Sequence, residues 1–297
     1  MAAIKAHDRE APLEGTAYEA RRDLRIGSIL TAAGKLDSAR IGQVLRLQQM
    51  RGGVRFGEAA LSLGLITRDD LNMALAKQFG FPHQPLNGSQ VHADLVAFRD
   101  PLHPSVERLR ALRTRLLIRW SGLDTDQRAL AIVSPGSCEG RSFVAANLAV
   151  LFAQVGMNTL LVDADLRSPR QHRIFDTPER VGLTSVLSGR AAGEVPVPAF
   201  GPLSVMPAGP RPPNPQELLL RPALASYLEL ASAQYDVVLV DTPPARDSAD
   251  AHSVSFCAGS ALVLARTDHT RLDEAAVLAR ELAEAGALVL GAVLTKF

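Results

Sequence analysis

The chain has 297 residues, 47% of them apolar and 21% charged, and its 32 Lys and Arg nearly balance its 31 Asp and Glu. At roughly 150 residues per domain this length suggests two domains, or one with a large extension, and the composition excludes global disorder. A net charge of +1 gives no bulk electrostatic case for nucleic-acid binding or for a polybasic membrane sheet. Two cysteines cannot build a disulfide framework, so a reduced, cytoplasmic protein is expected. No apolar run approaches the ~18 residues of a spanning helix. The opening MAAIKAHDREAPLEG has no apolar signal core, so any work at a membrane is expected to run through a partner.

Residues 1–23 read as a flexible arm. A repeat follows. Arg25, Gly27, Gly34, Leu36, Ile41, Leu45 and Gln48 recur as Arg55, Gly57, Gly64, Ile66, Leu71, Leu75 and Gln78, every offset being 30. Residues 24–81 are therefore expected to form a small helical tandem-repeat domain, each copy being two short helices joined at a glycine. Thr67 and Asp70 fit an N-cap with an acidic third position. On the residues alone this is a docking module. The pattern also resembles the N-terminal domain of type II secretion and pilus ATPases. That resemblance implies a cyclic di-GMP site at Arg25, Gly27 and Gln48 and again at Arg55, Gly57 and Gln78. Arginine suits phosphate and guanine edges, and glycine lets the backbone approach. Both readings stay open.

Residues 82–104 carry four prolines and no clean period, and read as a linker. Then comes SVERLRALRTRLLIRW, where Glu107, Arg110 and Arg113 follow one side of a helix and Leu109, Leu112 and Leu116 another.

From residue 129 onward, short apolar runs alternate with helical patterns. The runs are ALAIVS (129–134), TLLVDAD (159–165), LSVMP (203–207), DVVLVD (236–241), SALVLAR (260–266) and ALVLGAVL (287–294). They lack period-2 alternation, as strands buried on both faces do. The expected fold of 105–297 is α/β, a P-loop doubly wound parallel sheet with helices on both faces.

The first strand runs into SPGSCEGRS and a helix, which is the place of a Walker A loop. Such a loop needs backbone N–H groups and a helix N-terminus aimed at phosphate, a cation, and a hydroxyl for magnesium. Gly140 and Ser142 match the motif; Pro135 replaces its first glycine and Arg141 its lysine. The second strand ends at Asp163 and Asp165 and the fourth at Asp241, at the sheet edge where open α/β folds bind ligands. Magnesium wants hard oxygens and keeps several waters, so two or three aspartates suffice. In PAGPRPPNPQELL, Asn214, Pro215 and Glu217 fit N-cap, N1 and N3 of a helix.

Taken together, ExxRxLRTxL, SPxxxEGRS, LLVDADLRSPRQH, PAGxxPPNPQELL, YDVVLVDTPP and DSADAH resemble the bacterial tyrosine autokinases of exopolysaccharide synthesis, in their stand-alone, chain-length-determinant-associated branch. The resemblance spans roughly residues 95–297. It implies ATP and Mg2+ as cofactors, with Gly136, Ser137, Cys138, Glu139, Gly140, Arg141, Ser142 and Phe143 around the phosphates. Ser142, Asp163 and Asp241 would hold the metal. Arg141, Asp163, Asp165 and Asp241 would be catalytic, one aspartate taking the hydroxyl proton. Glu107, Arg110 and Arg113 would join copies into a homo-oligomeric ring. The implied partner is a membrane chain-length determinant (polysaccharide co-polymerase), which would hold the protein at the inner face of the bacterial membrane.

Two departures accompany the resemblance. Cys138 stands where that family usually has glycine. Its usual C-terminal tyrosine cluster is also missing, because the chain ends GAVLTKF and its tyrosines are Tyr18, Tyr227 and Tyr235. Tyr227 and Tyr235 read as packing residues and Tyr18 as the mobile candidate acceptor. Two other classes remain open: a switch ATPase of the plasmid-partitioning and septum-positioning kind, and a non-enzymatic adaptor.

Overall fold

The computed structural model describes residues 25–79, 91–121 and 128–296. The arm 1–23, Tyr18 and the first part of the expected linker, residues 82–90, lie outside them. The chain divides into two compact units, residues 1–85 and 86–297.

The described residues of the first unit form four helices: α1 Ile26–Ala32, α2 Ser38–Arg51, α3 Phe56–Ser62 and α4 Arg68–Phe79. Helix starts 26 and 56, and 38 and 68, are each 30 apart, so the sequence repeat is a structural repeat. Gly34 and Gly64 turn each pair with φ of 69° and 65°, a left-handed region costly to residues with a Cβ. The core repeats too: Ile29 and Ala59, Leu30 and Ala60, Leu36 and Ile66, and Val44 and Ala74 are all buried. α1 packs on α4 and α2 on α3, so each copy completes the other. Thr67 and Asp70 form the expected reciprocal cap, with Thr67 N donating to Asp70 Oδ2 (2.9 Å) and Asp70 N to Thr67 Oγ1 (3.2 Å).

The second unit begins earlier than the sequence suggests. Residues 91–104, expected as linker, include α5 Val96–Arg99, whose Ala97 and Phe98, with the preceding Leu95, are buried in the main core. The fully buried Asn147 fixes this strap by accepting from Ala97 N (2.9 Å) and donating to Asp94 O (2.7 Å). α6 Pro104–Ser121 follows, then β1 Ala129–Val133, α7 Arg141–Gln154, β2 Thr159–Asp163, α8 Gln171–Ile174, α9 Leu183–Leu187, β3 Val195–Pro196 and β4 Leu203–Met206. The chain continues through α10 Pro215–Leu219, α11 Pro222–Gln234, β5 Val237–Asp241, α12 Asp250–Ala258, β6 Ser260–Arg266, α13 Leu272–Glu284 and β7 Leu288–Thr295. Asn214 precedes α10 with Pro215 as its first residue, but the Asn214 side chain makes no capping bond.

The sheet order is β3-β4-β2-β5-β1-β6-β7. All pairs are parallel except β3 with β4. β3 is too short to leave a sequence pattern. Every residue of β1, β2 and β5 is buried. Leu130 and Ile132 enter the core beneath α6 and α7. Ala129, Ala131 and Val133 enter the opposite core with Leu224, Leu228, Val254 and Leu278. This two-sided burial is what the unbroken apolar runs encode. It also sets the carboxyl ends of β1, β2 and β5 side by side.

Candidate nucleotide and phosphoryl-transfer site

The loop between β1 and α7 is built around a helix N-terminus. Gly140 is the N-cap of α7 at φ 95°, where a side chain would be strained. Cys138 stands in the same left-handed region, φ 57°, a conformation that glycine adopts more readily. Its side chain is exposed.

Glu139 has turned inward and is 2% exposed. Its Oε2 accepts from Gly136 N (2.8 Å) and its Oε1 from Thr270 Oγ1. Arg266 donates to Cys138 O (3.1 Å), His269 to Ser137 O (3.2 Å) and Thr295 Oγ1 to Glu139 O (3.0 Å). The loop is thus pinned to the ends of β6 and β7, which no motif announces.

Arg141 is 8% exposed and also points inward. It donates to Thr242 O (2.8 Å), Ser134 Oγ and Gly136 O. A buried guanidinium seeks acceptors for its fixed fork of donors, and those beneath the loop take its Nε and Nη1. Two of the three Arg141 nitrogens are therefore committed to the loop's own frame. Phe143, half-buried, packs against the main core.

Asp163 and Asp241 are register partners on adjacent parallel strands, and both are fully buried. Burial raises the Asp163 carboxyl well above its ordinary range, and the Asp241 charge adds to the rise. Burial likewise pushes Asp241 up to about 6, against the Gln171 hydrogen bond, the nearby Ser142 hydroxyl and the Arg141 charge. Asp163 is also a turn anchor: Oδ2 accepts from Arg170 N (3.0 Å) and Gln171 N (2.9 Å), and Oδ1 from Asp165 N (3.2 Å). Asp165, 6% exposed, accepts Arg167 N (3.2 Å) and Ser168 N (2.9 Å) on Oδ1. Arg167 fixes this turn by a two-armed ion pair to the buried Asp250 (2.7 and 3.3 Å).

Gln171 went unmarked in the sequence. It is fully buried, and its Nε2 donates to Asp241 Oδ2 (2.7 Å) and Ser142 O (3.2 Å). It lies within the LLVDADLRSPRQH segment, but nothing in its type or spacing announces these contacts.

The structure therefore brings Arg141, Ser142, Asp163, Asp165 and Asp241 to one sheet edge. Among the described residues no group of three or more His, Cys, Asp or Glu is arranged to hold a metal, so a closed protein cage is excluded there. Magnesium is different: it keeps waters and substrate phosphate oxygens and takes only one or two carboxylates. The buried, unpartnered Asp241 Oδ1 and Gln171 Oε1, together with two crowded carboxyls, fit such an ion.

The expected interface residues divide. Glu107 and Arg110 pair on the surface of α6 (3.1 Å). Arg113 donates inward to Leu151 O (2.9 Å), capping the last turn of α7, so it is spent within the chain. Tyr227 donates to Glu194 (2.9 Å), and burial raises its hydroxyl far above the usual value; Tyr235 is half-buried beside it in the core. In the repeat unit, Arg25 and Arg55 are exposed at the starts of α1 and α3. Gln48 donates to Val54 O (2.7 Å). A Cβ on Gly57 would lie 2.4 Å from Leu71 Cδ1, and one on Gly27 3.4 Å from Phe56 Cζ. Gln48 and Gly57 thus have structural duties of their own. Gln78 is partly buried on α4.

A glycine loop before a helix, with strand-end aspartates in register beside it, defines a P-loop kinase or ATPase fold. No family model matches the chain. The tyrosine-protein kinase YwqD of Bacillus subtilis (strain 168) is 37% identical over 209 residues, 70% of this chain and 87% of YwqD. The tyrosine-protein kinase Etk of Escherichia coli (strain K12) is 31% identical over 264 residues, 86% of this chain but only 36% of Etk. The solved kinase domain of Escherichia coli Etk superposes with a TM-score of 0.66 at 31% identity, covering 72% of this chain and 84% of that domain. The chain belongs to the bacterial tyrosine-protein kinase family. Among the described residues no helix is long and apolar enough to cross a membrane.

Proposed function

We propose that the α/β unit binds ATP with magnesium and transfers its γ-phosphoryl group to a tyrosine hydroxyl, as the kinase component of exopolysaccharide polymerisation and export. The observation that carries this reading is the Asp163–Asp241 register pair beside the phosphate loop, with buried acceptor oxygens left over.

The amides of 136–142 and the N-terminus of α7 cradle the phosphates. Magnesium, when bound, neutralises phosphate charge, and Ser142, Asp163 and Asp241 are the residues to hold it. Arg141 supports the loop from below and brings positive charge to its floor. Asp165 accepts the phenolic proton as the tyrosine oxygen bonds to phosphorus and ADP leaves. Most of the acceleration comes from positioning and charge.

The acceptor is Tyr18 or a tyrosine of a neighbouring copy or partner, because Tyr227 is engaged with Glu194. Incubation with labelled ATP and phosphosite mapping tests this. Label on tyrosine is expected, and Asp163→Asn should lower it at least ~100-fold. No label on any tyrosine would leave an adaptor, the role that the inward commitment of Arg141 favours.

A membrane chain-length determinant is the proposed partner, and Glu107 with Arg110 the proposed contact between copies in a ring. Arg110→Glu should lower the sedimentation coefficient; an unchanged assembly rejects that contact. For the repeat unit the proposed ligand is cyclic di-GMP at Arg25 and Arg55, supported by the exposure of both arginines at equivalent helix starts.

A further inference from the structure

Gln171 touches three segments that carry the site. Its main-chain N–H donates to Asp163 Oδ2 (2.9 Å), and its side chain donates to Asp241 Oδ2 (2.7 Å) and to Ser142 O (3.2 Å). One residue therefore ties together the edge of β2, the end of β5 and the first turn of α7. Burying a primary amide completely is costly unless its polar atoms are used. Methionine or leucine would fill the same space without desolvating an amide.

The amide is used on one side only. Both partners of Nε2 are acceptors, a carboxylate and a carbonyl, so the nitrogen must face them and the oxygen must be the atom left over. Gln171 Oε1 is buried and unpartnered, and so is Asp241 Oδ1, whose sister oxygen Gln171 holds. Native interiors leave few buried acceptors unmatched. Two of them on hydrogen-bonded side chains, at the edge where Ser142 and Asp163 also end, call for a donor or a cation.

We infer that Gln171 is a positioning residue of the cation site. Its NH2 group engages one oxygen of Asp241 and so presents the other, together with its own carbonyl oxygen, to a divalent cation and its water shell. This rests on the phosphoryl-transfer reading above. Groups that hold metal ligands in place typically set affinity by about 10–100-fold when removed.

The test is a magnesium titration of the binding of a fluorescent N-methylanthraniloyl ATP to the full chain. Wild type is compared with Gln171→Met, which keeps length and volume but has no donor or oxygen, and with Gln171→Asn, which keeps the amide one methylene short. Circular dichroism confirms folding, and the two variants guard against either one failing to fold. The magnesium concentration for half-maximal binding should rise about 10–100-fold in the folded variants. Binding in EDTA should stay within about twofold, because Gln171 touches two carboxylates and the Ser142 carbonyl and none of the phosphate-loop N–H groups. Wild-type magnesium dependence in either folded variant overturns the inference. An equal loss in EDTA and in magnesium also overturns it, since that marks a packing role alone. Wild-type nucleotide binding that ignores magnesium would sink the cation reading itself, a result separable from any effect of Gln171.

Discussion

The two units use their signature residues in opposite ways. In the helical unit, the residues that repeat at an interval of 30 serve the fold: Gly34 and Gly64 turn the chain, Gln48 holds Val54 O, and Gly57 makes room for Leu71. Of the repeated residues, the exposed Arg25 and Arg55 are the ones proposed to meet a ligand. In the α/β unit, the singled-out residues are charged, buried and held under electrostatic tension: Asp163 and Asp241 crowd each other, and Arg141 and Glu139 fill the inside of a loop. Periodicity marks what a chain needs in order to pack. Buried charge without periodicity marks where it can do chemistry.

The largest expected effect would break the tension in the α/β unit. Asp241 has a folded value of about 6, against 3.8 for an ordinary carboxyl. A raised acid favours the folded state while it is protonated, so its contribution is complete below about pH 4 and is lost as pH rises through about 6. In EDTA, the stability of wild type relative to Asp241→Asn should therefore fall across that window, by an amount on the order of 3 kcal/mol. Magnesium should offset the loss above pH 6. Thermal melts of both proteins at matched pH read this directly, and a difference that is flat with pH would mean that the two carboxyls are not under tension.

A smaller effect separates the two copies of the repeat. Gly57→Ala forces a methyl group against Leu71 and should cost about 1–3 kcal/mol. Gly27→Ala meets only ordinary contact with Phe56 and should stay within about 0.5 kcal/mol. Urea denaturation followed by circular dichroism distinguishes them; equal costs would mean that the copies share one packing rule. The mildest change is Arg25→Gln. If the repeat unit binds cyclic di-GMP, removing this one charge-assisted hydrogen bond should weaken affinity by roughly tenfold in calorimetry on the full chain, with folding unaffected. Absence of binding in the wild type would assign the whole repeat to packing and docking.

Much of this was legible in the sequence. Six apolar runs became β1, β2, β4, β5, β6 and β7 because strands buried on both faces leave an unbroken signal. The helix pairs followed from a 30-residue echo. What stayed hidden has physical reasons. The Leu95–Phe98 strap lies among prolines and charges that mask its few apolar residues. Arg113 reads as a surface charge until the carbonyl of Leu151 is seen within its reach. Gln171 and the inward turn of Glu139 depend on which segments meet at the sheet edge, a tertiary fact with no local spacing.

The hydroxyl of Thr295 is bonded to the main chain of Glu139, so the last strand and the phosphate loop form one mechanical piece. For anyone building reporters from this protein, the carboxyl end then counts as part of the nucleotide pocket. An affinity tag or fluorescent fusion placed after Phe297 begins two residues from that bond, and its tumbling would tug on the loop.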